Sequence, residues 1–269
     1  VTDKYCVIGH PIAHSKSPGI HAAFAHATGQ DLNYERCLAP LDGFAATVQR
    51  LVHEGYKGAN VTVPFKIEAA QLATRLNERA RAAGAVNTLV FADGEIVGDN
   101  TDGPGLVADI TRNAGVPLKD KRVLLLGAGG AARGVLLPFL QEGPREIVIA
   151  NRTLATAQAL ARDFGAYGIP VSATGFAGIT GSFDIVVNAT SASLSSDLPP
   201  IPASVFCPST LALDMMYGNK PTVFMEFAAS QGAATRDGLG MLVEQAAEAF
   251  ALWRGVRPDT ADVLNQMRP

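Results

Sequence analysis

The side chains of this sequence that could do chemistry fall in short polar or glycine-rich stretches, each next to an apolar run. Ser15 and Ser17 alternate in the segment His10-Pro11-Ile12-Ala13-His14-Ser15-Lys16-Ser17-Pro18. Two hydroxyl donors so spaced suit a carboxylate, although Ser17, just before Pro18, could equally cap a helix. Asn60, Thr62 and Lys66 follow one another around Pro64. Lys66 reads either as a solvated surface lysine or as an ammonium near a helix start, aimed into a cleft. Asp102 offers a carboxylate that could also cap the helix after it. In Gly127-Ala128-Gly129-Gly130-Ala131-Ala132-Arg133 the spacing Gly127-x-Gly129-x-x-Ala132 supplies what a dinucleotide pyrophosphate needs: a permissive turn, a close backbone and a helix N-terminus. About 20 residues later an NAD-binding unit would carry an acid for the ribose. Here Asn151-Arg152-Thr153 stands instead, and the guanidinium fork of Arg152 suits a 2′-phosphate, which favours NADP over NAD. An exposed arginine after a strand is the alternative.

Those residues need a frame. Tyr5 to Ile8, Tyr34 to Leu38 and the run into Gly58 read as strands, with helices through Ile20 and Phe24, over Phe44 to Val52 and over Ile67 to Leu76. The alternation predicts a mostly parallel α/β sheet. Ala85 to Phe91 and Glu95 to Val97 form a hairpin around Asp93-Gly94, and the polar, glycine-rich residues 98–105 read as a hinge. A second series follows: strands at 122–126, 146–150, 171–172, 183–187 and 210–213, the fourth ending in the polar loop Asn188-Ala189-Thr190-Ser191, then a helix over Pro221 to Ser230. The last long helix carries Leu242, Ala246, Ala249, Phe250 and Trp253 on one stripe, with Gln245 one step off it. With no sheet material after it, this segment is expected to pack back on the first domain. The expected architecture is α/β with two domains and a cleft between them. Residues 1–102 plus 239–269 form a discontinuous substrate-binding domain, and 103–238 a Rossmann-type domain.

Composition limits the partners. Across 269 residues, 48% are apolar, 17% are charged and the net charge is −3. No basic stripe suggests nucleic acid or an anionic membrane, and no apolar run reaches the roughly 18 residues of a membrane span. Cys6, Cys37 and Cys207 are too few and too scattered for a disulfide framework or a zinc site, and no metal is expected. A small-molecule substrate in a cytoplasmic protein is the expectation.

As a set, Gly9 to Pro18, Asn60 to Lys66, Gly84-Ala85-Val86-Asn87-Thr88, Asp99-Asn100-Thr101-Asp102-Gly103, Gly127 to Arg133, Asn151-Arg152-Thr153, Asn188 to Ser191 and Asp237 to Ala247 resemble the shikimate dehydrogenases, in the family's order. The resemblance implies NADPH-dependent reduction of 3-dehydroshikimate to shikimate, in aromatic amino acid biosynthesis. It implies that Ser15 and Ser17 hold the substrate carboxylate, that Thr62, Asn87, Asp102 and Gln245 bind ring hydroxyls, and that Lys66 and Asp102 are the catalytic pair. Tyr217 would be a further substrate contact. Gly127, Ala128, Gly129, Gly130, Ala131, Asn151, Arg152, Thr153 and Thr190 would line the cofactor, and the backbone of Gly238 would face the nicotinamide. A monomer or homodimer is expected. Three positions depart from the family pattern: Ala22 replaces an Asn, Ala155-Thr156-Ala157 lacks a second basic residue for the phosphate, and Ala192-Ser193 replaces a glycine. Two alternatives compete: a quinate or quinate/shikimate dehydrogenase using NAD, and a non-catalytic NAD(P)-sensing protein.

Overall fold

A computed structural model describes residues 2–268. The chain divides into two compact units, Val1–Gly105 with Leu242–Pro269, and Leu106–Met241. It leaves the first unit inside one helix and returns to it inside another.

The first unit runs β1 (Asp3–Gly9), α1 (Ser17–Thr28), β2 (Leu32–Leu38), α2 (Phe44–His53), β3 (Gly58–Val61), α3 (Lys66–Leu72), β4 (Arg75–Leu76), α4 (Glu78–Ala83), β5 (Thr88–Ala92), β6 (Glu95–Asp99) and the start of α5 (Asp102–Ala108). Its sheet has the order β2-β1-β3-β5-β6-β4. β1 pairs in parallel with β2 and β3, whereas β5 runs antiparallel to β3 and β6. The β5–β6 turn is as expected from Asp-Gly, with Asp93 and Gly94 both at positive φ (53° and 77°), which matches the strands' twist. One face buries Phe44, Val48, Leu51, Phe65 and Leu89, with the rings of Phe44 and Phe65 stacked at 4.9 Å. A second cluster joins Ile20 and Phe24 of α1 to Val243, Ala246 and Phe250.

Two local expectations fail here. The helix expected over 67–76 stops at Leu72, because Thr74 and β4 turn to pair with β6: Thr74 N–H donates to Ile96 O at 2.8 Å, and its hydroxyl oxygen accepts from Ile96 N–H at 3.0 Å. Sheet pairing overrides helical periodicity. Ser17 is not a cap; it is the first residue of α1, after Lys16, while Pro18 sits in the first turn as expected. The chain crosses from the first unit to the second between Gly105 and Leu106, at the end of the stretch read as a hinge. Gly98 lies in β6, where a Cβ would come 2.7 Å from Val86 Cγ2, and Gly105 lies in α5, where a Cβ would come 2.6 Å from Gln245 N. These glycines allow close packing. Gly105→Ala is accordingly expected to lower stability by about 1–3 kcal/mol through overpacking, read as a shifted urea midpoint at unchanged slope.

The second unit runs β7 (Arg122–Leu126), α6 (Gly130–Gln141), β8 (Glu146–Ala150), α7 (Leu154–Asp163), β9 (Val171–Thr174), β10 (Ile185–Asn188), β11 (Leu211–Asp214), α8 (Val223–Ser230) and β12 (Ala234–Arg236). β12 has no counterpart in the sequence reading, its three residues being too few to show a period. The sheet is wholly parallel, in the order β12-β11-β10-β7-β8-β9. Strand order therefore reverses between β7 and β10, and the carboxyl ends at such a reversal are where open α/β sheets hold ligands. α9 (Leu239–Arg254) and α10 (Ala261–Met267) complete the chain. Among the described residues no helix is long and apolar enough to cross a membrane.

Candidate active site

In the first unit, four chain segments bring polar groups to one place. α3 opens on Lys66, whose Nζ donates to Asp102 Oδ2 at 2.6 Å. Asp102 opens α5, and its own N–H is taken by Asn100 Oδ1 at 3.1 Å. Asp102 thus spends its carboxylate on Lys66 and on Asn87, which donates to Oδ1 at 3.0 Å, rather than on a helix cap. Asn87 Nδ2 also lies 2.8 Å from Thr101 Oγ1 and 3.3 Å from Gln245 Oε1 on α9. An amide nitrogen has two hydrogens and here faces three acceptors. The most distant, Gln245 Oε1, is the acceptor most available to a hydroxyl of a bound molecule.

Asn60 forms a layer beneath this cluster. Its Nδ2 donates to Asn87 O at 3.2 Å and to Thr88 Oγ1 at 3.1 Å, while its Oδ1 accepts from the Tyr34 hydroxyl at 2.7 Å. Tyr34 in turn stacks on His21, ring centroids 4.2 Å apart. His21 is fully buried, and burial pushes its pKa down to about 3, so its ring is a neutral part of the core. Thr101 and Thr88, both fully buried, also donate to Asn87 Oδ1, at 3.2 and 3.0 Å. Sequence reasoning assigned no role to either threonine; the only signal was a polar side chain within an apolar strand or between two acids.

Ser15, Ser17 and Thr62 make no hydrogen bond to the Lys66 cluster. Ser15 Oγ accepts from Ser17 N–H at 3.3 Å, and its carbonyl is held by Arg36 at 2.6 Å. Ser17 is buried beside Tyr34. The loops after β1 and β3 are tied together by His10 N–H to Val63 O at 3.1 Å and Thr62 N–H to Ile8 O at 2.9 Å. Gly9 permits this approach, since a Cβ there would meet Thr62 Cγ2 at 2.6 Å. The Lys66 and Asp102 side chains are 33% and 22% exposed, so the pair can be reached from solvent.

The second unit carries the remaining candidates. A cavity of about 570 Å³ is lined by Gly127 to Ala131, Asn151, Arg152, Thr190 and neighbouring residues. Gly127 has φ +101°, a conformation that favours glycine, and a Cβ on it would press on Ala189 at 3.2 Å. Gly129 and Gly130 have neither reason: a Cβ on either would meet nothing within 4 Å. The open space in front of them, at the amino end of α6, fits the close approach of a pyrophosphate. Arg152 is exposed on the cavity's edge and makes no hydrogen bond or ion pair among the described residues. Thr153 is the residue before α7, and Ala155 and Thr156 are exposed beyond it. Gly238 donates its N–H to Met216 O at 2.9 Å, and a Cβ there would lie 2.0 Å from Met215 O. Tyr217, on the same loop after β11, is partly exposed; burial first and then the Asp237 carboxylate raise its pKa, keeping it a donor.

Known proteins resemble this chain in sequence and in fold. Residues 7–89 match the model of the shikimate dehydrogenase substrate binding domain, 109–196 that of shikimate / quinate 5-dehydrogenase, and 238–268 that of the shikimate 5′-dehydrogenase C-terminal domain. A shikimate dehydrogenase (NADP(+)) of Herminiimonas arsenicoxydans is 64% identical over 268 residues, 100% of this chain and 98% of that one. Among solved structures, the Ael1 enzyme of Pseudomonas putida is 54% identical with a TM-score of 0.96, covering 100% of this chain and 99% of that chain. The shikimate 5-dehydrogenase of Thermus thermophilus, solved with NADP(H) and shikimate, is 33% identical with a TM-score of 0.86, covering 98% of each chain. With three family models in order along the chain and full-length relatives at this identity, the protein belongs to the shikimate dehydrogenase family.

Proposed function

We propose that the protein catalyses the reversible, NADPH-dependent reduction of 3-dehydroshikimate to shikimate, and that the first unit binds the substrate while the second binds NADP. The observation that carries this reading is the Lys66–Asp102 pair at 2.6 Å, joined to Asn87 and Gln245. NADPH, when bound along Gly127 to Ala131, supplies the hydride. As the carbonyl carbon accepts it, negative charge builds on the oxygen. The Lys66 ammonium, with hydrogens to spare beyond the one given to Asp102, stabilises that charge and delivers the proton. Asp102 keeps the ammonium in place and, with Thr62, Asn87 and Gln245, accepts or donates to the ring hydroxyls. Ser15 and Ser17 take the carboxylate, and Tyr217 adds a hydroxyl donor.

On the cofactor side, Arg152 serves the 2′-phosphate, flanked by Asn151 and Thr153. Thr190 and the Gly238 backbone serve the other half of the dinucleotide. The Thr190 hydroxyl already donates to Asn188 Oδ1 at 2.7 Å, so it meets a ligand through its methyl group or a lone pair. In the same reading the protein works in the cytoplasm as a monomer or homodimer, its net charge of −3 fitting no polyanionic partner.

A second reading, with NAD and quinate, draws support from Ala155 and Thr156, which put no second cation beside Arg152. A steady-state matrix of shikimate and quinate against NADP and NAD separates the two. The highest kcat/KM is expected with shikimate and NADP. A maximum with quinate and NAD would favour the second reading, and nucleotide binding without turnover in all four combinations would leave a sensing protein.

A further inference from the structure

Asp214 ends β11 fully buried, yet it forms no ion pair among the described residues. A buried carboxylate without a counter-ion persists only where donors surround it, and those donors come from three separate segments. Oδ2 accepts from Asn188 Nδ2 at 3.2 Å, from the Ser193 hydroxyl at 2.6 Å and from the Thr222 hydroxyl at 2.7 Å; Oδ1 accepts from Met216 N–H at 3.0 Å.

Two of the three segments lead to the cavity or to Gly238. Asn188 Oδ1 accepts from both the N–H and the hydroxyl of Thr190, at 3.1 and 2.7 Å, and Thr190 Oγ1 accepts from Ala192 N–H at 3.3 Å. Thr190, Ala192 and Ser195 line the cavity. Ser193, between them, reaches Asp214 directly. On the other side, Met216 presents its carbonyl to Gly238 N–H. Thr222, besides donating to Asp214, caps α8 by accepting from Met225 N–H at 3.2 Å.

The strand order says which half of a dinucleotide this concerns. The pyrophosphate-binding glycines follow β7 and Arg152 follows β8, so the adenosine half extends to that side. The other half extends over β10 and β11, whose ends carry Asn188 and Asp214.

From these contacts we infer that Asp214 is a positioning residue for the nicotinamide half of the site, acting through Asn188 and Ser193 on the Thr190 loop and through Met216 on Gly238. The inference rests on the NADP reading above.

The test measures ligand affinity without turnover. NADPH and adenosine 2′,5′-bisphosphate, which lacks the nicotinamide half, are titrated by calorimetry into the full chain and its variants. Ser193→Ala is expected to weaken NADPH by roughly 3- to 20-fold while the bisphosphate changes by less than about twofold. Asp214→Asn, whose amide nitrogen must face the N–H of either Met216 or Asn188, is expected to do the same more strongly. Ser193→Ala, carried by a half-buried loop residue, keeps the test decisive if Asp214→Asn does not fold. NADPH affinity unchanged in Ser193→Ala, or both ligands weakened equally, overturns the inference. Failure of the wild-type chain to bind either ligand overturns the cofactor reading itself, and this inference with it.

Discussion

Lys66→Ala is expected to lower kcat by roughly 10²- to 10⁴-fold, the range for losing a general acid or a charge-stabilising donor. The prediction rests on where Lys66 stands. Its ammonium is held by Asp102 at 2.6 Å, yet the pair is accessible and has donors left over. Removing it leaves the Asp102 carboxylate partly solvated and still hydrogen-bonded to Asn87 at 3.0 Å, so the fold should lose little. The loss should therefore appear in the chemical step. Single-turnover hydride transfer, followed at the nicotinamide absorbance, separates it from binding. Activity within about tenfold of wild type would remove Lys66 from the reaction, and a rise in KM at constant kcat would reduce it to a substrate-binding group.

Arg152→Ala is expected to weaken NADPH by about 1.5–3 kcal/mol, the value of a hydrogen bond to a charged group, and to leave NADH unaffected. That is a roughly 10- to 150-fold change in preference. Arg152 is exposed and bonded to nothing among the described residues, so its loss should not disturb the unit. No second cation stands at 155–157 to compensate. The measurement is the ratio of kcat/KM for the two cofactors in each protein. An equal fall with both would show that Arg152 does not distinguish the phosphate.

The second unit was the more legible part of the sequence. Its strands are continuous apolar runs, as a sheet buried on both faces requires, and Gly127 to Arg133 mark the first strand-to-helix turn. The polar cluster of the first unit was legible in its members and hidden in its wiring. Lys66, Asn87, Asp102 and Gln245 stood out by type, but nothing in their spacing says that Asn87 is held from below by Asn60, or that Thr101 fills its amide. Such contacts join residues 14 to 158 positions apart, beyond any local period. Glycine was legible in part. The stretch 98–105 reads as a hinge and the chain does cross between units after Gly105, but nothing in it says that Gly98 makes room for Val86 or Gly105 for the backbone of α9. Short elements set by pairing alone, β4 and β12, left no trace.

The path of the chain bears on how the protein is made. The second unit is a single stretch, Leu106–Met241, whereas the first is closed only by Leu242–Pro269. During synthesis from the N-terminus, domains fold as units when their residues have emerged. The second unit can therefore complete itself while the first still waits for Gln245, for Phe250 in the α1 core, and for Glu248, which meets Arg79 at 3.1 Å. Until those residues leave the ribosome, the half that holds Lys66 and Asp102 lacks part of its core. The nascent protein thus completes its second unit before the one that holds the Lys66–Asp102 pair.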